Sequence, residues 1–297
     1  MNQSRIQSPH FGNRILGLFY SALLHISGFL IVLTHRFAKL LRITQQDGDL
    51  VTVLIPTHNR VEMLLERSLK SVLAQTHTNL EIIVLAHGCT DDTESRVNEL
   101  EDARIRLVNV PRKKLGYPDR PEFHWLMGPT KPLNVGHSRA KGQFVAIIGD
   151  DDEWVANHIE RALRCLNEFD ADFYSSKGEV IIDGNFVEIT QGNKIGAYTI
   201  GGVSTWVYRI YLKRLKWNIH SWRKAWNRPN DIDFGARVRL LGVPTHFDDF
   251  VGRLWRNRPG ESKIGLAAYL EFQTQNSPGS PGLPVENGEG FGKKRPV

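Results

Sequence analysis

Four consecutive acids, Asp150-Asp151-Asp152-Glu153, stand between Gly149 and Trp154. Adjacent carboxylates repel one another unless a cation sits among them, and an oxygen-only donor set suits Mg²⁺ or Mn²⁺, ions that in turn hold phosphates. The same residues have a plainer use, in which one Asp caps the following helix and the others are solvated. A second acidic group, Asp231 and Asp233, follows some eighty positions later in Asn230-Asp231-Ile232-Asp233. Its plain use is also capping and compensation of a helix dipole, worth about 1 kcal/mol. Two further polar stretches, Thr57-His58-Asn59-Arg60 and Ala86-His87-Gly88-Cys89-Thr90-Asp91-Asp92-Thr93, mix hydroxyl, imidazole, guanidinium and carboxylate groups.

The elements that must position these residues are legible in the apolar pattern. Buried strands are expected over Val51 to Pro56, Glu81 to Leu85, Ile105 to Val110 and Gln143 to Ile148, each a β-branched run leading into or out of a polar stretch. Helical spacing follows at Val61, Leu64, Leu65, Leu69, Val72 and Leu73, and again at Ile159, Ala162, Leu163, Leu166 and Phe169. Strand and helix alternating with short connections imply an α/β domain, a mostly parallel central sheet with helices on both faces. Ligands of such sheets bind outside the carboxyl ends of the strands, where Thr57–Arg60, Ala86–Asp92 and Asp150–Asp152 all fall. A loop over Pro111–Pro132, rich in Arg, Lys and aromatic residues, is long enough to shape a site, act as a lid or be mere ornament. The second half is less regular: a hairpin turning at Asp183-Gly184, a cluster of Trp217, Trp222 and Trp226, and a helix opened by Asn230. The tryptophans suit core packing, an acceptor platform or a membrane interface.

The net charge of +6 and the 41% hydrophobic content describe an ordinary globular chain that meets anionic phosphates or an anionic membrane surface. No dense Lys/Arg stripe marks it as a nucleic-acid binder. Cys89 and Cys165 lack any partner motif, which implies a reducing compartment and no structural zinc. Ile15 to Leu33 is an apolar run with no formal charge, which as a helix would span roughly 28 Å, near the thickness of a bilayer core. Arg5 and Arg14 precede it and Arg36, Lys39 and Arg42 follow, favouring a body on the cytoplasmic face, membrane-anchored or peripheral. The alternative is a helix that lies on the membrane or packs on the domain. The expected organisation is an N-terminal anchor region (1–45), a catalytic domain (46–270, divided at 155/156 into nucleotide-binding and acceptor halves) and a disordered tail (271–297).

Taken in order, these motifs resemble glycosyltransferase family 2, enzymes of the GT-A fold. The resemblance covers about two thirds of the chain and rests on Pro56 to Arg60, Gly88 to Thr93, Asn134-Val135-Gly136 with Ala140-Lys141-Gly142, Asp150 to Trp154, and Asn230 to Asp233. It implies transfer of a sugar from a nucleotide diphosphate donor to an acceptor hydroxyl, with inversion, in synthesis of a cell-surface polysaccharide or glycolipid. It further implies a Mn²⁺ or Mg²⁺ ion on Asp151 and Asp152, Asp150 nearer the ribose, Thr57 and Arg60 beside the nucleotide, and Asp231 as catalytic base. Asp233 is left to helix capping. The chain also departs from the family. Ala86 and His87 replace a pair of acids, the second of which contacts the base, so His87 presents a different pattern to that base. Leu133 stands where an Arg is common, with Lys131 nearby to supply charge to the diphosphate. Asn230 replaces a Glu, and Arg258 replaces a His that helps bind metal; Arg256 and Arg258 are then candidates for the diphosphate. Two rival functions remain: a degenerate fold member that binds nucleotide or glycan without turnover, and a nucleotidyltransferase, for which no Gly-rich phosphate loop follows the first strand.

Overall fold

A computed structural model describes residues 11–41, 48–113, 116–195, 198–223 and 229–257. Lys114, Trp226, Arg258, Arg5, Arg42 and the expected tail lie outside the described residues. The chain opens with helix α1 (Phe11–Leu40) and then enters the sheet through β1 (Val51–Thr57). A continuous helical segment follows: α2 (Val61–Met63), a π-helical stretch (Leu64–Leu69) in which the Ser68 hydroxyl donates to the Leu64 carbonyl, and α3 (Lys70–Leu73). Next come β2 (Leu80–His87), α4 (Thr93–Asn98) and β3 (Ile105–Val110).

The stretch expected as a long loop, Pro111–Pro132, instead holds α5 (Pro121–Met127) and the first turn of α6 (Thr130–Arg139), and the rest of α6 falls where a short helical turn over Asn134 to Arg139 is expected. Pro121 starts α5 at a position where the missing N–H costs nothing. Tyr117, Phe123, Leu126 and Met127 bury themselves with Trp222 as a small satellite core, which the alternation of apolar and charged residues had hidden. Then come β4 (Phe144–Ile147), a short β5 (Asp152–Trp154) and α7 (His158–Glu168). β6 (Phe173–Ile182) and β7 (Asn185–Thr190) form the expected hairpin, with Asp183 and Gly184 both at positive φ in its turn. A small ribbon of β8 (Asn193–Ile195) and β9 (Tyr198–Ile200) precedes β10 (Val207–Arg209). Helix α8 (Asn230–Leu240) and the long β11 (Thr245–Arg256) complete the described chain.

The main sheet has nine strands in the order β3-β2-β1-β4-β10-β6-β11-β5, with β7 paired to β6. The first four are parallel; β10 runs antiparallel to both β4 and β6, and β11 returns parallel to β6. β5 pairs antiparallel with β11, so the strand that carries Asp152 is held by the last described strand, about a hundred residues on. Period-two alternation decides which side chain enters which layer. Val51, Val53 and Ile55 of β1 join Ile82, Val84 and Ala146 beneath the helical segment 61–73 and α7, while Leu54, Ile83, Leu85, Val145 and Ile147 face the opposite layer of α6 and α8. There Trp217 stacks on Phe234 at 4.5 Å and on Trp206 at 6.0 Å, all three fully buried. Trp217 and Trp222 are therefore packing residues, and Trp222 further ties its indole N–H to the Gly116 carbonyl at 3.2 Å.

Candidate active site

The carboxyl ends of β1, β2 and β4 carry the three polar stretches to one edge of the sheet. Their connections lock to each other. Asn59, at φ 51°, accepts the Thr90 N–H at 2.7 Å and donates to the Thr90 hydroxyl, joining the loop after β1 to the loop after β2. Asp91 accepts the Val61 and Thr93 amides and the Thr93 hydroxyl, which uses it as a cap for two helix starts. Thr57 is buried at the end of β1, with a hydroxyl that has no partner among the described residues.

Arg60 reaches across to the acidic cluster, with Nε 3.1 Å from Asp150 and Nη1 3.3 Å from Asp151. Asp150 and Asp152 are buried and Asp151 is close to it. Gly149 explains how three acids share so small a space. A methyl group in its place would lie 3.0 Å from Asp151 Oδ1 and 3.3 Å from Asp152 Oδ2, so both carboxylates fold over a surface that only hydrogen leaves open. The Gly149 N–H donates to the Ser204 hydroxyl at 3.0 Å, and Ser204 itself is buried against the cluster. This cradle is built of carboxylate and hydroxyl oxygens, so it fits a hard divalent cation such as Mg²⁺ or Mn²⁺. Another titratable group, Cys165, His246 and Asp248, is close enough to ligate an ion. Asp248 is already engaged there by Arg161 at 2.6 and 3.0 Å and by the Tyr174 hydroxyl, which makes it a structural ion pair.

Asp231 lies in the first turn of α8, half-buried, with Oδ1 accepting the Ile232 N–H at 2.8 Å. Burial pushes its carboxyl above the usual range, against the backbone N–H groups and the charge of Arg253. Arg253 also stands 3.7 Å from Asp152, so one guanidinium links the triplet to the candidate base. Arg253 is not among the residues expected at the site. Arg256, a candidate for the diphosphate, pairs with Glu153 at 2.9 Å, and its carbonyl accepts a bond from Arg67. The available signal was Gly178 in the neighbouring strand: a Cβ there would lie 3.0 Å from Arg253 Nε, so the glycine makes the guanidinium's berth. Asp233, by contrast, forms a buried pair with Arg237 at 3.1 Å.

His87 and His58 form a neutral wall beside the end of β2. Burial and the nearby Arg112 hold both well below the ordinary imidazole value, to about 4 in each case. His87 Nε2 is buried without a partner among the described residues. Arg112 packs over Gly88 and bonds His124 at 3.2 Å, and His124 in turn bonds Asp119 at 2.7 Å. Lys131 donates to the carbonyls of Pro111 (2.6 Å) and Lys113 (3.0 Å), so it fastens this same connection beside His87 and is not drawn to the acidic cluster. Asn134, part of the motif Asn134-Val135-Gly136, exchanges two hydrogen bonds with the Trp217 backbone and serves the core.

A parallel half-sheet with a carboxylate cluster at its carboxyl edge, extended by antiparallel strands and joined by a second acid in the first turn of α8, is the architecture of the GT-A fold. Residues 52–118 match the family model described as glycosyl transferase family 2. A relative in Escherichia coli, UDP-Glc:alpha-D-GlcNAc-diphosphoundecaprenol beta-1,3-glucosyltransferase WfgD, is 28% identical over 141 residues, covering 48% of this chain and 50% of its own. A second in Campylobacter jejuni, GalNAc(5)-diNAcBac-PP-undecaprenol beta-1,3-glucosyltransferase, is 34% identical over 121 residues, covering 40% of this chain and 35% of its own. The matched stretch thus spans half or less of these relatives. The crystal structure of S. aureus TarS in complex with UDP-GlcNAc superposes with a TM-score of 0.52 at 17% identity, covering 73% of this chain and 60% of that one, which is a likeness of fold. Over residues 52–118 the chain is similar to glycosyl transferase family 2, and its fold is of the GT-A type.

Proposed function

We propose that this chain is a metal-dependent, inverting glycosyltransferase that moves a sugar from a nucleotide diphosphate donor to an acceptor hydroxyl. The observation that carries the reading is Arg253, which stands 3.7 Å from Asp152 of the cradle and whose charge acts on the raised carboxyl of Asp231. Asp151 and Asp152 would hold Mg²⁺ or Mn²⁺, which when bound neutralises charge developing on the leaving diphosphate. Arg60 and Arg253 supply further positive charge to the diphosphate, and Asp150, paired with Arg60, lies toward the ribose. Thr57 offers the nucleotide a buried hydroxyl, and His87 offers the base a neutral ring nitrogen in place of a carboxylate. Asp231 takes the proton of the attacking hydroxyl, a role suited to a carboxyl whose basicity burial has raised. Attack from the side opposite the diphosphate inverts the anomeric centre.

The names of the relatives support a polyprenyl-diphosphate-linked glycan as acceptor, and hence work at the cytoplasmic face of a membrane. A binding-only reading draws on one observation, that Arg60 already pairs with two acids of the cradle. One experiment separates the two: purified protein with Mn²⁺ or Mg²⁺ and a panel of nucleotide sugars, following nucleotide diphosphate release with and without membrane lipid extract. Metal-dependent release abolished by Asp151→Ala and by Asp231→Ala supports transfer. Nucleotide binding at equal affinity with no release would replace it with the binding-only reading.

A further inference from the structure

Helix α1 is apolar on the wrong side for a core helix. The face turned to the domain carries Asn13, Gly17, Tyr20, Ser21, Leu24, His25, Gly28, Ile31, Val32 and His35 at helical spacing, six of the ten being Gly, Ser, Asn or His. The face turned outward carries Leu18, Phe19, Leu23, Ile26, Phe29, Leu30 and Leu33, all between 48% and 62% exposed. Between Arg14 and Arg36 there is no Asp, Glu, Lys or Arg. Two hydroxyls do reach the outward face, and both are satisfied inside the helix: Ser27 donates to the Leu24 carbonyl at 3.1 Å and Thr34 to Leu30 at 2.8 Å. Polar groups turned back onto their own backbone are what a surface without water requires.

The helix is also fastened to the domain from end to end. Arg223 bonds Asn13, Tyr20 meets His220 edge to face at 4.6 Å, Gly28 lies against Leu241 and Leu215, His35 stacks on Tyr211 at 3.6 Å, and Lys39 pairs with Asp170 at 2.5 Å. These contacts extend over about 39 Å of axis at 1.5 Å per residue. A helix crossing the bilayer would carry the flank of the domain packed on its middle, with His220 and Tyr211, into the hydrocarbon, where polar groups are costly. The N-terminal end lies by Arg223, eight residues before Asp231, and the C-terminal end lies by Asp170, just before the amino end of β6. The helix therefore runs from the site edge of the sheet to the opposite edge.

Resting on the membrane reading above, we propose that α1 lies in the plane of the bilayer surface, its outer face immersed among acyl chains and its inner face bearing the catalytic domain. Arg14 at one end and Arg36 at the other carry positive charge to the depth of anionic headgroups. In this posture the carboxyl edge of the sheet opens sideways along the headgroup layer, the level at which a lipid-linked hydroxyl waits.

The test uses the full chain with an N-terminal epitope tag, sealed vesicles of phosphatidylethanolamine and phosphatidylglycerol, and the double variant Ile26→Glu/Phe29→Glu, whose sites are 62% and 58% exposed. The expected result is vesicle sedimentation of the wild type, at least a tenfold weaker partition for the double variant with unchanged melting temperature, and protease access to tag and domain from the same side. The pair Phe19→Glu/Leu30→Glu gives the same loss. A tag protected in the lumen overturns the in-plane posture and leaves the membrane reading standing. Absence of wild-type binding to vesicles defeats the membrane reading itself. A dimer that both double variants dissociate, with no lipid binding, assigns the face to a second copy and also overturns the proposal.

Discussion

Replacing Asp231 by Asn tests the assignment of the base with little change of shape. The amide oxygen can still accept the Ile232 N–H that Asp231 accepts at 2.8 Å, and helix α8 keeps its first turn. What is lost is proton affinity. A positioned general base contributes about 10²–10⁴ in rate, or about 3–5 kcal/mol of transition-state stabilisation, and kcat is expected to fall by that factor with donor KM almost unchanged. Stability should move the other way. The folded carboxyl lies above its unfolded value of 3.8, so at neutral pH the native state carries an ionised group that burial disfavours, and this penalty fades only as pH falls through the folded value. The Asn variant is therefore expected to melt no lower than the wild type at pH 7. The wild-type rate should fall tenfold per pH unit below a midpoint above the ordinary Asp range, and the residual rate of the variant should be flat there. The assay is nucleotide diphosphate release from pH 4 to 8 beside thermal melts of both proteins. A variant that keeps a third of the activity, or whose loss of activity tracks a loss of stability, refutes the reasoning.

Arg253→Gln should raise the donor KM about tenfold, the scale of one charge-assisted contact. Because Arg253 lowers the Asp231 pKa, the same variant should move the acid limb of the rate profile to higher pH; an unmoved limb would disconnect the two residues. Gly149→Ala places a methyl 3.0 Å from Asp151 Oδ1, and it should raise the Mn²⁺ concentration for half-maximal activity at least tenfold while the fold is kept. An unchanged metal titration would remove the cradle from the site. His137 and His158 are fully buried and held neutral down to about 3, against 6.5 when unfolded. Their contribution to stability is complete above pH 6.5 and is lost as pH falls toward 3, by up to about 1.4 kcal/mol per pH unit for each group. Chemical denaturation between pH 7 and 4 checks this, and a pH-independent midpoint would contradict it.

The strands that carry the nucleotide half were legible because their environment is uniform. β1, β2 and β4 are buried on both faces, so nearly every residue is apolar, and the polar stretch that interrupts each one marks its carboxyl end. The expected positions of Thr57, Arg60, His87, Asp150–Asp152 and Asp231 all fall at element ends that sequence pattern can find. Lys131 also gains a role that local pattern does not show, since it donates to the carbonyls of Pro111 and Lys113. Helix α5 is hidden in the sequence because a short helix over a satellite core has too few apolar turns to show a period.

The alternating strands and helices, the edge to which the polar loops are carried and the acid-rich composition found there follow from burial and from spacing along a single chain. That Arg253 stands against the cluster, that Arg60 lies across Asp150 and Asp151, and that α1 turns its apolar face outward could be seen only in the folded molecule. Each of these depends on which residues distant in sequence meet. Pairing of β5 with β11, the berth left by Gly178 and the docking of α1 on Leu215, Leu241 and Tyr211 are contacts that no local periodicity encodes.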